Sequence, residues 1–184
     1  IHGGPGFPMR PYSYLTDAGV ANDFIFVHWD QRGAGKSYKE LRDDEATLET
    51  FVKDAFSLIA NLRRLFPNQK IGVLGISWGG AIALQLMRDH PDAVDFYVGV
   101  GQLVRLSRAE AIGYDWLKNK FVFSKNTDSV AELSAIGRPP FENIYSLTTF
   151  NKLMVKNGGV LGNLSVSELK KARSRSPDYS MLED

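Results

Sequence analysis

Hydrophobic residues in the first hundred positions form short continuous runs, separated by longer segments with helical spacing. The runs cover residues 24–29, 71–74 and 95–100 and are rich in apolar side chains. Runs of this length are typical of strands that are buried on both faces of a sheet. The sequence therefore predicts three buried strands.

Two long segments between these runs place apolar residues three and four positions apart. This spacing predicts amphipathic helices over residues 48–66 and 78–90. Each helix is followed by a proline, Pro67 or Pro91, which cannot continue it. Alternation of strands and helices is typical of a parallel sheet with right-handed crossovers, so an α/β fold is predicted.

The pattern changes after Gly101, where no further strand is predicted. Two capping boxes, at 107–110 and 165–168, are expected to begin helices. The predicted helices cover 107–121, 128–136, 147–156 and a segment from Ser165 onwards. We expect residues 1–101 to form a partial α/β core and residues 102–184 a helical lid.

Composition narrows the possible function classes. The chain has 184 residues, long enough for a sizeable core, and its 22 basic and 21 acidic residues give a net charge of +1. This balance favours neither nucleic acid nor an anionic membrane as partner, and the basic run of the last predicted helix is expected to be a solvated face. No apolar run approaches 18 residues. The absence of cysteine excludes disulfides and thiolate chemistry, and it is compatible with a cytoplasmic location.

The strongest chemical motif is Gly-Ile-Ser-Trp-Gly at 75–79, between the second predicted strand and a predicted helix. It matches G-x-S-x-G, the sharp turn that presents a nucleophilic serine, here Ser77. Side chains at Gly75 and Gly79 are expected to collide with the strained backbone of such a turn. The free N–H groups and dipole at the start of the helix would favour an oxyanion beside Ser77.

A glycine-rich loop, His-Gly-Gly-Pro-Gly, occupies residues 2–6. In a serine hydrolase such a loop supplies one oxyanion donor, and the residue after the nucleophile supplies the other. We therefore assign the oxyanion site to the N–H of Trp78 and the N–H of Gly3 or Gly4, each donor contributing about 3 kcal/mol. His2 is expected to hold the loop in shape rather than to act as a base.

Residues 30–37 end in Gly-Lys-Ser and imitate a phosphate-binding loop. The full pattern requires glycine at the position of Asp30, and a carboxylate there would repel phosphate. Nucleotide binding is therefore not expected. Asp30 and Arg32 are predicted to form a local ion pair that fixes this segment near the site.

Together, the motifs at 2–6, 30–37 and 75–80 resemble the proline iminopeptidase (prolyl aminopeptidase) branch of the α/β-hydrolases. The resemblance implies an α/β-hydrolase fold, a Ser-Asp-His triad, no metal or cofactor, and release of an N-terminal residue, often proline, from short peptides. It also implies that carboxylates of the lid bind the substrate's amino group. The lid candidates are Glu110, Glu132, Glu142 and Glu168.

The histidines depart from the family pattern, in which the triad histidine follows the serine and an acid. Only His90 follows Ser77, and about 20 Å of helix would separate the two, too far for proton transfer. His28 is expected to be a satisfied core residue. We therefore expect the base to lie outside this chain. The strand leading into the glycine loop, expected between 24–29 and the Val73 strand, is also reduced to one residue, so we expect the chain to be a segment of a longer protein.

Two other functions remain open at this stage. An esterase or amidase of the same fold would act on a non-peptide small molecule, because the lid decides the substrate. A non-catalytic hydrolase-fold module would keep the turn at Ser77 but bind a ligand without turnover. Oligomeric state is not predicted.

Overall fold

The computed structural model describes residues 1–159, 166–177 and 179. These residues group into two compact units. The first comprises Ile1–Leu103 with the described residues that follow Lys171, and the second comprises Val104–Lys171. The interpretation of the helical segment as a lid stays a prediction.

The first unit contains a two-stranded parallel sheet. Strand β1 (Gly72–Ile76) pairs with β2 (Phe96–Val100), in a register that places Gly72 opposite Phe96 and Ile76 opposite Val100. Both strands were predicted, but the expectation that they are buried is wrong: β1 is buried on one face only, and the side chains of β2 are exposed except for the half-buried Tyr97. Their parallel pairing needs a crossover connection, which the helix between them provides.

The first unit has two long helices. A short helix, α1 (Ser13–Thr16), comes first in the chain, and the long helices are α2 (Leu48–Leu65) and α3 (Trp78–Asp89), close to the predicted bounds. Of these two, α3 packs against β1 and α2 packs against α3. Spacing of three and four residues places the apolar side chains of α2 and α3 on one face of each helix. Burial of these faces removes apolar surface from water and forms the core of this unit. The buried core residues are Phe51, Val52, Ala55, Ile59, Val73, Ile82, Ala83 and Leu86.

The predicted strand at 24–29 is wrong. These residues form no ladder with any described segment, and the side chains of Phe24, Ile25 and Val27 are exposed. A strand requires a hydrogen-bonded neighbour as well as a suitable composition, and the described residues provide none here.

Ile1 lies along the free edge of β1. Its nitrogen donates to the Leu74 oxygen at 2.6 Å, and its oxygen accepts from the Ile76 N–H at 3.1 Å. The next N–H, that of Ser77, donates to Val100 on the opposite edge. Since successive N–H groups of a strand point to opposite edges, Ile1 and β2 flank β1 on its two sides. This confirms the expected position of Ile1 beside the Val73 strand.

Helices make up the second unit, as predicted. They are α4 (Leu106–Phe123), α5 (Thr127–Ala135) and α6 (Ile144–Lys156), and α7 (Val166–Arg173) follows and crosses the boundary between the units. The core of α4, α5 and α6 consists of Tyr114, Leu117, Phe121, Leu133, Ile136, Phe150 and Leu153. None of the helices in the described part of the chain has the length and apolarity needed to cross a bilayer.

The predicted capping box at 107–110 is wrong. Helix α4 already begins at Leu106, so Ser107 lies within its first turn and does not cap it. Asparagines cap the next two helices: Asn126 accepts from Ser129 N–H at 3.0 Å, and Asn143 accepts from Ser146 N–H at 2.8 Å. Asparagine is among the best residues for this position. Ser165 of the second predicted box lies outside the described residues.

Candidate active site

Ser77 is a single-residue bend between β1 and α3. Its φ of 51° and ψ of −113° lie in a region that costs a residue with a side chain about 1–3 kcal/mol. Main-chain hydrogen bonds hold it on both sides: its N–H donates to Val100 and its oxygen accepts from Gly80 N–H, each at 2.9 Å. The half-buried side chain is thereby carried at the end of a strand and the start of a helix.

The glycines on either side of the bend have no room for a side chain. A Cβ at Gly75 would lie 2.9 Å from the oxygen of Gly79. A Cβ at Gly79 would overlap the oxygen of Ile1 and lie 2.7 Å from that of His2. Backbone atoms can give way only by moving the whole segment, so both positions require glycine. The expected collisions at Gly75 and Gly79 are confirmed.

The glycine-rich loop lies directly beside Ser77. A Cβ at Gly3 would lie 3.5 Å from the Cβ of Ser77 and 3.3 Å from the oxygen of Ile76. Gly4 follows at a φ of 123°, a conformation that side chains disfavour. Two segments that are more than 70 residues apart in sequence therefore meet at Ser77. The N–H of Trp78, the first residue of α3, is one of those that a helix leaves without a partner within itself.

His2 is buried, and both of its ring nitrogens are engaged. Nε2 accepts a hydrogen bond from the Gln31 N–H at 3.2 Å, so Nδ1 carries the proton and donates to the Gly3 oxygen at 2.7 Å. Burial lowers the pKa of His2, and the hydrogen bond to Gly3 opposes that shift only in part. A neutral ring with its lone pair already used cannot serve as base for Ser77, which agrees with the structural role expected for His2.

Gln31 was missed as a functional residue by sequence reasoning. It is fully buried, and its amide lies between the glycine-rich loop and α3. Nε2 donates to the His2 oxygen at 2.8 Å, and Oε1 accepts from the indole N–H of Trp78 at 3.2 Å. Its place in the motif at 30–37 was the only signal in the sequence, and a motif does not reveal which partners a side chain will contact.

The predicted ion pair between Asp30 and Arg32 is wrong. Arg32 makes a two-pronged ion pair with Asp54 of α2, with both hydrogen bonds at 2.6 Å, and this raises the pKa of Arg32. Arg32 pairs with Asp54 rather than with Asp30, because a planar guanidinium binds a carboxylate best through two parallel hydrogen bonds.

Asp30 instead anchors its own segment. Its Oδ2 accepts from the Lys36 N–H at 3.0 Å and from the Tyr179 hydroxyl. Its other oxygen is buried without a hydrogen-bond partner among the described residues. The Lys36 N–H, which a phosphate loop would direct at an anion, is thus already used by a carboxylate.

The other two histidines contact residues other than Ser77. His28 bonds Asp17 through Nε2 at 2.6 Å and is half-buried, so it is satisfied as expected, although it lies on no strand. His90 follows the last residue of α3, at the opposite end of the helix from Ser77, and stacks on Phe56 with ring centroids 3.9 Å apart. Neither ring forms a hydrogen bond with Ser77.

The four candidate carboxylates of the predicted lid are spread over its helices. Glu110 is half-buried on α4, and burial raises its pKa. Glu132 on α5, Glu142 before α6 and Glu168 on α7 are exposed. Which of them, if any, meets a substrate amino group stays a prediction.

Comparison with known proteins identifies the family. Residues 2–141 match the model of the family described as serine aminopeptidase, S33. The chain is 33% identical over 144 residues to the probable aminopeptidase YbaC of Bacillus subtilis (strain 168), covering 77% of this chain and 45% of that protein.

Proline iminopeptidases are also similar. The chain is 35% identical over 98 residues to that of Lactobacillus acidophilus, covering 51% of this chain and 31% of the relative. It is 35% identical over 108 residues to that of Lactobacillus crispatus, covering 56% and 33%. The chain thus spans less than half the length of these curated relatives. With three quarters of its residues inside the family match, this chain belongs to the serine aminopeptidase S33 family, whose members are serine hydrolases of the α/β-hydrolase type, as the resemblance predicted.

Proposed function

We propose that the complete protein, meaning this chain with any residues that precede or follow it, is an aminopeptidase that releases an N-terminal residue of proline type from short peptides. The observation that carries the proposal is the approach of Gly3 to Ser77, a residue held at positive φ between β1 and α3. Similarity to proline iminopeptidases supports the substrate class.

The reaction begins with attack of the Ser77 hydroxyl on the carbonyl carbon of the N-terminal residue. The carbonyl oxygen becomes an oxyanion, which accepts hydrogen bonds from the N–H groups of Trp78 and of Gly3 or Gly4. Breakdown of this intermediate expels the amine of the shortened peptide and leaves an acyl group on Ser77. Water then releases the free amino acid.

A proton acceptor for Ser77 is required, and none of His2, His28 and His90 forms a hydrogen bond with its hydroxyl. We propose that the proton acceptor is a histidine elsewhere in the complete protein, paired with an acid as in other serine hydrolases. Without such a base a serine hydrolase loses on the order of a million-fold in kcat, so the residues described here are not expected to turn over substrate alone.

A fluorophosphonate probe tests the nucleophile in the complete protein. We expect the probe to label Ser77, to fail on Ser77→Ala, and to label the matched control Ser57→Ala, which alters an exposed serine on α2. Absence of labelling in the unaltered protein would point to a non-catalytic binding module.

Substrate choice is tested separately. Proline naphthylamide should be hydrolysed in preference to short-chain nitrophenyl esters. A clear preference for the esters would contradict the peptidase assignment and support an esterase of the same fold.

A further inference from the structure

Gln31 contacts both chain segments that carry the proposed oxyanion donors. Its side-chain amide donates to the His2 oxygen and accepts from the Trp78 indole, at 2.8 and 3.2 Å. A carbonyl oxygen can only accept and an indole N–H can only donate, so these partners fix the orientation of the amide. One buried side chain therefore joins the loop at 2–6 to the start of α3.

The contact with His2 determines the direction of the Gly3 N–H. The carbonyl of His2 and the N–H of Gly3 belong to one peptide unit, which is planar and trans, so they point in opposite directions. By bonding the His2 oxygen, Gln31 fixes the plane of this unit. The direction of the Gly3 N–H is thereby fixed as well.

The following peptide unit is held through the imidazole. Its oxygen, that of Gly3, accepts from His2 Nδ1 at 2.7 Å, and this orients the Gly4 N–H. The imidazole is in turn held by the main-chain N–H of Gln31, which donates to Nε2 at 3.2 Å. Gln31 thus supports both candidate donors of the loop, one through its side chain and the other through its backbone.

The other contact of the Gln31 amide is with the first residue of α3. The Trp78 ring bonds the Gln31 oxygen and makes a T-shaped contact with Phe51, with ring centroids 5.8 Å apart and planes at 89°. The backbone N–H of Trp78 is the second proposed donor. Contacts that hold the Trp78 side chain therefore also restrain the backbone at the start of α3.

We propose that Gln31 is a positioning residue that sets the orientation of the Trp78 and Gly3 N–H groups relative to each other at Ser77. This inference rests on the proposed function. Gln31 touches no substrate and acts through His2 and Trp78. Oxyanion stabilisation depends on donors that are already in place when charge develops, so misalignment lowers the rate of acylation rather than substrate affinity.

The test is the kinetics of fluorophosphonate labelling of Ser77 in the complete protein. Gln31→Met keeps the length of the side chain and removes both side-chain hydrogen bonds. We expect the rate constant to fall about 10- to 100-fold while labelling still approaches completion. With a peptide substrate, kcat should fall and KM should stay within about twofold. A purely structural role would instead reduce the fraction that labels and leave the rate constant of the remaining molecules unchanged, and this outcome would overturn the proposal.

Trp78→Phe provides a second test should Gln31→Met fold poorly. It removes the indole donor and keeps the ring and the backbone N–H. We expect labelling about 3- to 10-fold slower, and a double variant slower than either single variant by less than the product of the two effects, because both lose the same hydrogen bond. An unchanged rate constant in Trp78→Phe would count against the proposal.

The matched control is Gln69→Met, which makes the same chemical change at an exposed loop position and should label at the wild-type rate. Failure of the unaltered protein to label Ser77 would overturn the proposed function, and the role of Gln31 with it. Normal labelling of the unaltered protein together with an unaffected Gln31→Met would overturn only the role of Gln31.

Discussion

The region around Ser77 and the helices of the second unit are held together by different kinds of contact. Around Ser77, main chain meets main chain: oxygens of Ile1 and His2 occupy the space where a Gly79 side chain would stand. In the second unit, large side chains such as Leu117 and Phe150 fill the space between helices. At Gly79 the first region has no room for an added atom. The stability of the second unit depends instead on the large side chains that fill its core.

The proposed function accounts for the difference. An oxyanion site needs N–H groups from two separate segments within reach of one atom, and only glycines allow backbones to approach that closely. A helical unit has no such requirement, so burial of apolar area can supply most of its stability. The two regions should therefore respond in opposite ways to added and deleted methyl groups.

Addition of one methyl group at Gly79 should have the largest effect. Gly79→Ala would force the Ile1–His2 backbone away from α3, since neither oxygen can yield without moving the loop. We expect Ser77 labelling in the complete protein to slow more than 100-fold and the free energy of unfolding to fall by at least about 3 kcal/mol. The control is Gly19→Ala, where no atom lies within 4 Å of the new Cβ and φ is not positive. A Gly79→Ala variant with unaltered labelling would show that the backbone contact is dispensable.

Deletion of side-chain atoms at Leu117 should have the next largest effect, and only in the second unit. Leu117 on α4 is fully buried, and replacement of a buried leucine by alanine costs about 2–5 kcal/mol. Hydrogen exchange should show lost protection in α4, α5 and α6 with α3 unaffected. Ile112→Ala on the exposed face of the same helix is the control and should leave exchange unchanged. Equal loss of protection in α3 would mean that the two units unfold together.

A smaller effect is expected where a helix begins. Asn143→Ala removes the side-chain oxygen that accepts from Ser146 N–H and should destabilise the second unit by about 1 kcal/mol. Asn119→Ala makes the same change within α4, where alanine is the better helix former, and should be neutral or slightly stabilising. Thermal unfolding of the two variants measures the difference. Equal midpoints would show that the cap contributes nothing.

Helices and strands with a partner close in sequence could be predicted from the sequence, and those that depend on distant partners could not. The spacing in α2 and α3 predicted both helices because a helix satisfies its own hydrogen bonds. The segment at 24–29 has the composition of a strand, yet a strand is defined by its neighbour. Composition alone therefore could not decide it.

The same distinction applies to the candidate site. The need for glycine at Gly75 followed from the motif, because the backbone it would meet, at Gly79 and Gly80, is local. The motif also predicted glycine at Gly79, but not that a side chain there would meet the distant backbone of Ile1 and His2. The partners of Arg32 and Gln31 were not predicted, since they lie on other elements and depend on how those elements pack. Polar side chains with several possible partners are the hardest to place from sequence.

The last prediction concerns His2, where the backbone network of the site meets a titratable group. Burial lowers the pKa of His2 in the folded protein below its value in the unfolded chain, near 6.5. The unfolded chain therefore binds more protons at acidic pH, and folded stability rises with pH across this range. The stability from a neutral His2 is present above about pH 6.5 and is lost as the pH falls through the folded pKa. Protonation would also place a hydrogen on Nε2, directly opposite the Gln31 N–H.

The pH dependence of unfolding measures this contribution. Between pH 8 and pH 5 the complete protein should lose stability more steeply than its His2→Gln variant, which cannot take up the proton. The matched control His90→Gln removes a histidine at the far end of α3 and leaves the contacts of His2 intact, so its slope should follow that of the unaltered protein. Identical slopes for all three proteins would mean that His2 accepts a proton in the folded state at no cost. Its lone pair would then be free, and the hydrogen bond from Gln31 that fixes the loop beside Ser77 could not exist.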